Sequence, residues 1–462
     1  MANDFSGIRR TGNQSHRWDF RHKDCVTKKA ILEIDSDDPY FIANKEMVIS
    51  VCSNLLKKEK DKKVLVLLRE RRGDAYALLK DHKRAREDWE AGLELDPKNA
   101  RLRWRHAVLS TQDSLAKAQK ELEDLLKETP DFANAWITLA VVSMAKGDFE
   151  DGLRKAAKAI DLGAKSPLAY YTRGAAFARL GKFREALADL NRCIDLDSFF
   201  PAGGHAYLVR GTVLLGLGDY KKAANDFARA IQFNRENIGS RYGLWTCNWA
   251  MGRWNLCFLQ AKEMFKEFPL DDRSHLTMCS SFVGTGKPKE AVFHGEQAVS
   301  IAPRNPNGYR ELGLAHFYLG DYALALENFD KALALSPGDL RSLHSKAVLR
   351  STCPEKKYRD GRQAMELALR FKKIAKEPST DASFLLAISH AEKGEFAKAV
   401  DAAKEFRKKE PTGKFRKEID QMLQGFGRKE PLRIAPSDNN LLPLLFSSRE
   451  FAILDLQQPL GK

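Results

Sequence analysis

Residues 307–337 read NGYRELGLAHFYLGDYALALENFDKALALSP, and this stretch decides the fold. Tyr309, Leu312, Gly313 and His316 recur at i, i+3, i+4 and i+7, the spacing of one helix face. Gly320-Asp321 interrupts the pattern. A second helical pattern runs from Tyr322 to Leu335 with Ala325, Phe329 and Ala332 on its inward side, and Pro337 comes next, where a helix cannot continue. The spacing predicts a helix over about 309–319, a tight turn, and a second helix over about 322–335. Gly313 and Ala325 mark the predicted crossing point, because small side chains let two helices approach closely.

The same signals recur along the chain. A turn of Gly, a polar residue and an aromatic stands at Gly147-Asp148-Phe149, Gly181-Lys182-Phe183, Gly218-Asp219-Tyr220, Gly252-Arg253-Trp254, Gly320-Asp321-Tyr322 and Gly394-Glu395-Phe396. Three residues after each aromatic comes a small residue. Extended to the less obvious units, that register runs Ala85, Ala118, Gly152, Ala186, Ala223, Cys257, Ala291, Ala325, Ala364 and Ala399, at intervals of 33, 34, 34, 37, 34, 34, 34, 39 and 35. Self-similarity at such a period is the signature of stacked repeats, in which each unit buries its apolar face against the next.

The unit resembles a tetratricopeptide repeat, whose 34-residue pattern has an aromatic, a Leu-Gly, an aromatic, Ala, an aromatic, Ala and Pro. Those places hold Tyr309, Leu312-Gly313, His316, Ala325, Phe329, Ala332 and Pro337, with only His316 off type. Other units match in part, through Gly73, Tyr76 and Trp89, through Trp136, Leu139 and Ala140, and through Tyr207, Gly211 and Phe227. Trp245 stands where a small residue is expected. The resemblance implies an all-α, right-handed α-solenoid of about ten helix-turn-helix units over residues 66–413. An irregular arm (1–38) and a capping helix (39–65) come before it. A second capping helix (414–427) and an extended or disordered tail (428–462) come after. Two register gains, at Ser198–Gly204 and Ser351–Gly361, map to loops. The second, continued through Ala368, resembles a segment of bacterial multi-repeat members of the family, planctomycetes among them, which implies a bacterial origin.

Composition limits the function classes. The chain has 462 residues, 43% of them hydrophobic and 30% charged, which fits a folded chain rather than a disordered one. Seven cysteines form no C-x-x-C pair, which argues for a reducing compartment and against structural zinc. The polar first residues lack a signal-peptide core, and the longest apolar runs, Val64–Leu68 and Leu441–Phe446, fall far short of the ~20 residues of a membrane span. The expectation is a cytoplasmic protein, with no metal, no cofactor and no catalytic residues. The ten histidines show no ligand spacing. Gly284-Thr285-Gly286-Lys287 lacks the rest of a phosphate-binding loop and falls in register as a turn between paired helices. About 65 residues before the repeats and 49 after leave no room for an ordinary catalytic domain of ~100 residues.

The partner is therefore expected to be a protein or peptide. In this family the first helix of each unit lines the concave side, and its second, fifth, ninth and twelfth places face the groove. Carried onto this chain, those places include Ile137, Val141, Tyr171, Leu208, Thr212, Tyr242, Trp249, Leu276, Arg310, Phe317, Arg341 and His344. Co-chaperone members clamp a C-terminal carboxylate with Lys/Asn pairs at such places, and no such set is present here. An extended peptide or amphipathic helix with apolar anchors fits better, with Arg310 and Arg341 available to an acidic group. Tyr242 and Trp249 are the preferred anchors. The net charge of +15 raises nucleic acid as the alternative partner. Against it, much of the basic charge (Arg370, Lys372, Lys373 and Lys376, then Lys404, Arg407, Lys408 and Lys409) falls on or just beyond outer second helices, interleaved with acids. A regulatory subunit of an enzyme complex is the third reading. The apolar tail segments Leu441–Phe446 and Phe451–Leu454 read as a flexible end or as a segment that docks on a partner or on the protein's own groove.

Overall fold

The computed structural model describes residue 31 and residues 39–196, 203–375, 379–409 and 416–434. Most of the N-terminal arm, the start of the first register gain, Lys376, Phe415 and the tail from residue 435 lie outside the described residues. The described residues form 23 α-helices and one short 3₁₀ turn, with no strand among them. The chain divides after Ala164 into two compact units.

In the first unit, α1 (Pro39–Ala43) and α2 (Lys45–Leu56) precede three hairpins: α3 (Lys62–Leu78) with α4 (His82–Leu95), α5 (Ala100–Asp113) with α6 (Leu115–Glu128), and α7 (Ala133–Lys146) with α8 (Phe149–Asp161). Phe41, Val48 and Cys52 pack with Ile31 against Leu68 and Ala75 of α3. This contact covers apolar surface of the first hairpin.

The second unit continues with α9 (Pro167–Arg179) and α10 (Phe183–Leu196), α11 (Gly203–Gly216) and α12 (Tyr220–Phe233), α13 (Ile238–Ala250) and α14 (Trp254–Glu267), and α15 (Asp272–Gly284) and α16 (Pro288–Ile301). Then come α17 (Pro306–Leu319) and α18 (Tyr322–Leu335), α19 (Leu340–Thr352) and α20 (Gly361–Ile374), α21 (Thr380–Glu392) and α22 (Phe396–Lys409), and last α23 (Arg416–Gly427). The two units together hold ten hairpins.

The α17–α18 hairpin shows why the unit folds this way. Asn305 caps α17, its side chain accepting from the N–H of Asn307, with Pro306 in the first turn where its missing N–H is harmless. The helix therefore starts three residues earlier than the apolar spacing alone predicts. Gly320 ends it at φ +90°, a left-handed conformation that a side chain would resist. At the crossing, a Cβ on Gly313 would stand 2.8 Å from the Phe329 ring and 3.2 Å from the Ala325 carbonyl, so glycine is what lets the pair close. His316 is buried, as expected of an inward position. Gly286 takes φ +72° between α15 and α16, and Gly284-Thr285-Gly286-Lys287 is a repeat turn.

Trp245 does not break its hairpin. It is buried, its indole N–H donates to the Cys257 carbonyl at 3.1 Å, and its ring stacks on Trp249 at 5.0 Å. The bulk where a small residue was expected is absorbed by the small Cys257 opposite. The second register gain forms the 3₁₀ turn Lys356–Tyr358, and Arg359 ties it down by donating to the carbonyls of Cys353 and Pro354.

A charged pair recurs across three hairpins. Arg72 to Asp88, Arg173 to Asp189 and Arg210 to Asp226 are each 16 residues apart and each joins first helix to second at 2.7 Å. The geometry is bidentate in all three, and the aspartates are almost fully buried. In α17–α18 the corresponding places hold Leu312 and Asn328, and in α21–α22 they hold Leu386 and Ala402.

Candidate functional site

First helices of successive hairpins touch one another from α9 through to α21, and no comparable contact joins successive second helices among the described residues. First helices thus form the inner row of the second unit, and their outward-turned positions line its groove. In the first unit α5 and α7 are related in the same way.

The open places of the row are aromatic on α9 and α13. Tyr171 on α9 is half-buried, and burial pushes its phenol up to about 12. Thr212 on α11 is half-buried, and its hydroxyl donates to the Leu208 carbonyl. On α13, Tyr242, Trp245 and Trp249 form a stack that Trp254 extends edge-on at 4.6 Å from Trp249. Tyr242 and Trp249 keep part of their surface in contact with solvent. In the first unit, Val141 on α7 is 39% exposed.

Six of the positions that the family register assigns to the groove face are buried instead. Ile137 and Leu208 turn into packing between helices, Leu208 joining a core with Leu215, Phe227 and Cys247. Leu276, Arg310, Phe317 and His344 lie on α15, α17 and α19, which are buried nearly all round. Their burial corrects the expectation that these places face solvent. A helix register fixes which side of the helix a residue is on, but whether that side meets water depends on what packs over it.

Arg310 and Arg341 do not stand free to receive an acidic ligand group. Arg310 is 1% exposed, and its guanidinium donates to Glu311 at 3.1 Å and Asn307 at 2.6 Å. Arg341 reaches the same Glu311 at 3.1 Å. Ser280 donates to the other oxygen of Glu311 at 2.7 Å. One carboxylate thus ties α15, α17 and α19 together, each charge being offset within the row. The sequence offered no sign of this, since Glu311 sits at a place outside the set read for the groove.

Burial also decides the chemistry of the nucleophilic groups. It pushes the Cys247 and Cys257 thiols up to about 12 and Cys279 well above its usual value, so all three stay protonated. His275 and His294 meet at 3.1 Å through their Nδ1 atoms, and Phe265 and Phe282 pack against His294. Burial, and then the charge of His275, holds His294 down to about 4. No group of three or more His, Cys, Asp or Glu among the described residues is placed to hold a metal ion. No described helix is long and apolar enough to cross a membrane. Of the basic cluster, Arg370, Lys372, Lys373, Lys404, Arg407 and Lys408 are exposed on the second helices α20 and α22.

Comparison with known proteins agrees with the repeat architecture. Models of the tetratricopeptide repeat match residues 68–99, 107–167, 171–238, 306–339 and 381–413. The chain is 29% identical over 251 residues to stress-induced-phosphoprotein 1 of Caenorhabditis elegans, covering 51% of this chain and 75% of that one. Among solved structures, a tetratricopeptide repeat protein from Parabacteroides merdae is similar over 51% of this chain and 93% of its own, with 18% identity and a TM-score of 0.42. The APC/C hetero-tetramer Cut9–Hcn1 gives 14% identity and a TM-score of 0.44 over 86% of this chain and 89% of the other. With ten hairpins in register and repeat matches in both units, the chain belongs to the tetratricopeptide-repeat family.

Proposed function

We propose that the protein is a non-catalytic cytoplasmic scaffold whose inner row over α9–α13 binds an extended peptide or an amphipathic helix through apolar anchors. The observation that carries this reading is the run of partly exposed aromatic side chains, Tyr171, Tyr242 and Trp249, on first helices whose backbones are fixed by their neighbours. Aromatic rings on a rigid frame supply large contact area at little entropic cost, and such residues dominate interface energetics. With Arg310 and Arg341 already engaged by Glu311, recognition rests on apolar anchors rather than on a carboxylate clamp.

The test is selection of binders from a displayed random-peptide library against the full chain, followed by titration of the Tyr242→Ala/Trp249→Ala double variant. Selected peptides carry aliphatic or aromatic anchors, and the double variant binds them at least tenfold more weakly with unchanged helical circular dichroism. Equal affinity for the variant overturns the reading. The same preparation, titrated with single-stranded oligonucleotides from 50 to 200 mM salt, tests nucleic acid as partner. Binding that falls steeply with salt, and that the double variant leaves intact, would assign the chain to the alternative class. A partner that co-purifies in fixed stoichiometry would assign it to an enzyme complex instead.

A further inference from the structure

We infer that the groove over α15–α21 is a docking site for the chain's own C-terminal segment, residues 435–462. Three independent observations converge on that occupant.

The first is burial. Arg310 is 1% exposed, Phe317 3%, Val348 2%, Phe384 2% and Ile388 1%, although all lie at the fifth, ninth or twelfth place of inner-row helices. The same places on α9 and α13 hold the partly exposed Tyr171, Tyr242 and Trp249, and α11 is mixed, with Thr212 partly exposed but Leu208 and Leu215 buried. Closer approach of neighbouring first helices contributes at α15–α17 and α19–α21. It does not act between α17 and α19, which meet no more extensively than α9 and α11 do, yet Arg310, Phe317 and Val348 on these two helices are buried. A further layer of side chains over the row accounts for that.

The second is the path of the last described residues. After α23 the chain reverses at Lys429, in a left-handed turn closed by the Glu430 N–H on the Gly425 carbonyl. It then runs back to the C-terminal end of α19. Arg433 donates to the Ser351 carbonyl at 3.2 Å and pairs with Glu392 of α21 at 2.8 Å. Arg359, in the second register gain, holds Glu392 from the other side at 3.0 Å. The Ile434 N–H donates to the Thr352 carbonyl at 3.0 Å, and its side chain is 2% exposed. Ser351 is itself a twelfth-place residue, so the chain is delivered to the mouth of the groove.

The third is the chemistry and reach of the remaining residues. From Ile434 to the end are 462 − 434 = 28 residues. At ~3.3 Å per residue they span up to ~90 Å. Three steps of ~10 Å between packed helices separate α19 from α13. The segment carries Leu441, Leu442, Leu444, Leu445 and Phe446, then Phe451, Ile453 and Leu454, which match an apolar wall of Leu314, Phe317, Val348 and Ile388.

A linked segment acts at an effective concentration on the order of millimolar, so it holds its groove against micromolar competitors. The test uses the full chain with the photo-crosslinking residue p-benzoylphenylalanine in place of Leu445 or Phe451. Irradiation of the monomer is expected to give intrachain crosslinks to α15, α17, α19 or α21, mapped by mass spectrometry. Crosslinks to a second copy, to α9–α13 or to the outer helices, or no intrachain crosslink at all, overturn the proposal. A second measurement adds a synthetic peptide of residues 435–462 to a chain ending at Ile434. The expected result is binding at least tenfold tighter than to the full chain, whose groove is already filled. Equal binding to both chains, or to neither, overturns it. Either failure leaves the reading of α9–α13 in place, because that reading is tested through Tyr242 and Trp249.

Discussion

The inner row of the second unit has two halves built from one repeat, and they differ in what holds them. Over α9–α12, first and second helices are joined by Arg173–Asp189 and Arg210–Asp226, and Tyr171 and Thr212 keep partial contact with water. Over α15–α21 the places of those charged pairs are largely apolar, and the groove side itself is packed. There the Glu311 carboxylate links neighbouring first helices to each other rather than first helix to second. One repeat register thus supports an open stretch and a closed, core-like one. The difference lies in side chains at a few places per repeat and in how closely some neighbouring first helices approach, not in the hairpin itself.

The largest test of this contrast is truncation of groove side chains in the two halves. Phe384→Ala and Phe317→Ala should each cost about 3–5 kcal/mol, as buried core phenylalanines do. Tyr171→Ala should cost only about 1–2 kcal/mol, since part of its ring already meets water. Urea midpoints at constant m-value measure both. Equal losses at all three positions would erase the distinction between the halves.

The charged groups sharpen it next. Glu311→Gln leaves the buried Arg310 guanidinium to the more distant Asp339 carboxylate, 3.5 Å away, and should cost about 3 kcal/mol. Asp226→Asn should cost less, about 1–2 kcal/mol, because Arg210 can turn outward and rehydrate. A double-mutant cycle of Glu311 with Arg341 should show coupling, and a cycle of Glu311 with Asp226 should not.

Acid should act on the closed half first. His275, His294 and His344 all lie on α15, α16 and α19. Burial lowers all three, His294 to about 4 and His344 to about 3. In the unfolded chain each titrates near its ordinary value of about 6.5. Between these values the unfolded state binds more protons, so stability is full above about pH 6.5 and is lost as pH falls through the window toward 4. Melting temperatures at pH 7.0, 5.5 and 4.5 should fall in that order. His294→Phe, which suits the ring cluster of Phe265 and Phe282, should flatten the decline. A slope unchanged by this variant would remove His294 from the account. The smallest effect belongs to Val141→Ala on the exposed side of α7, which should stay within about 0.5 kcal/mol.

Much of the architecture was legible beforehand because its causes are local. The Gly-polar-aromatic turn is set by backbone conformation at one glycine, and the hairpin crossing is set by the small pair Gly313 and Ala325. The Arg–Asp ladder was also written in the sequence, as three pairs 16 residues apart, and becomes visible once the register is fixed. Trp245 read as a packing problem, because the compensating Cys257 lies on the other helix of the hairpin.

By itself, then, the sequence determined the period, the helix pairs, the turns and the family, because each depends on contacts within about 34 residues. Only the tertiary structure decided which inner-row faces are covered and where residues 428–434 return. The contact of Arg433 with Ser351 joins residues 82 positions apart, and the burial of Arg310 depends on helices from neighbouring repeats. Periodicity assigns a residue to a face of its own helix. What lies against that face is settled by parts of the chain that share no local pattern with it.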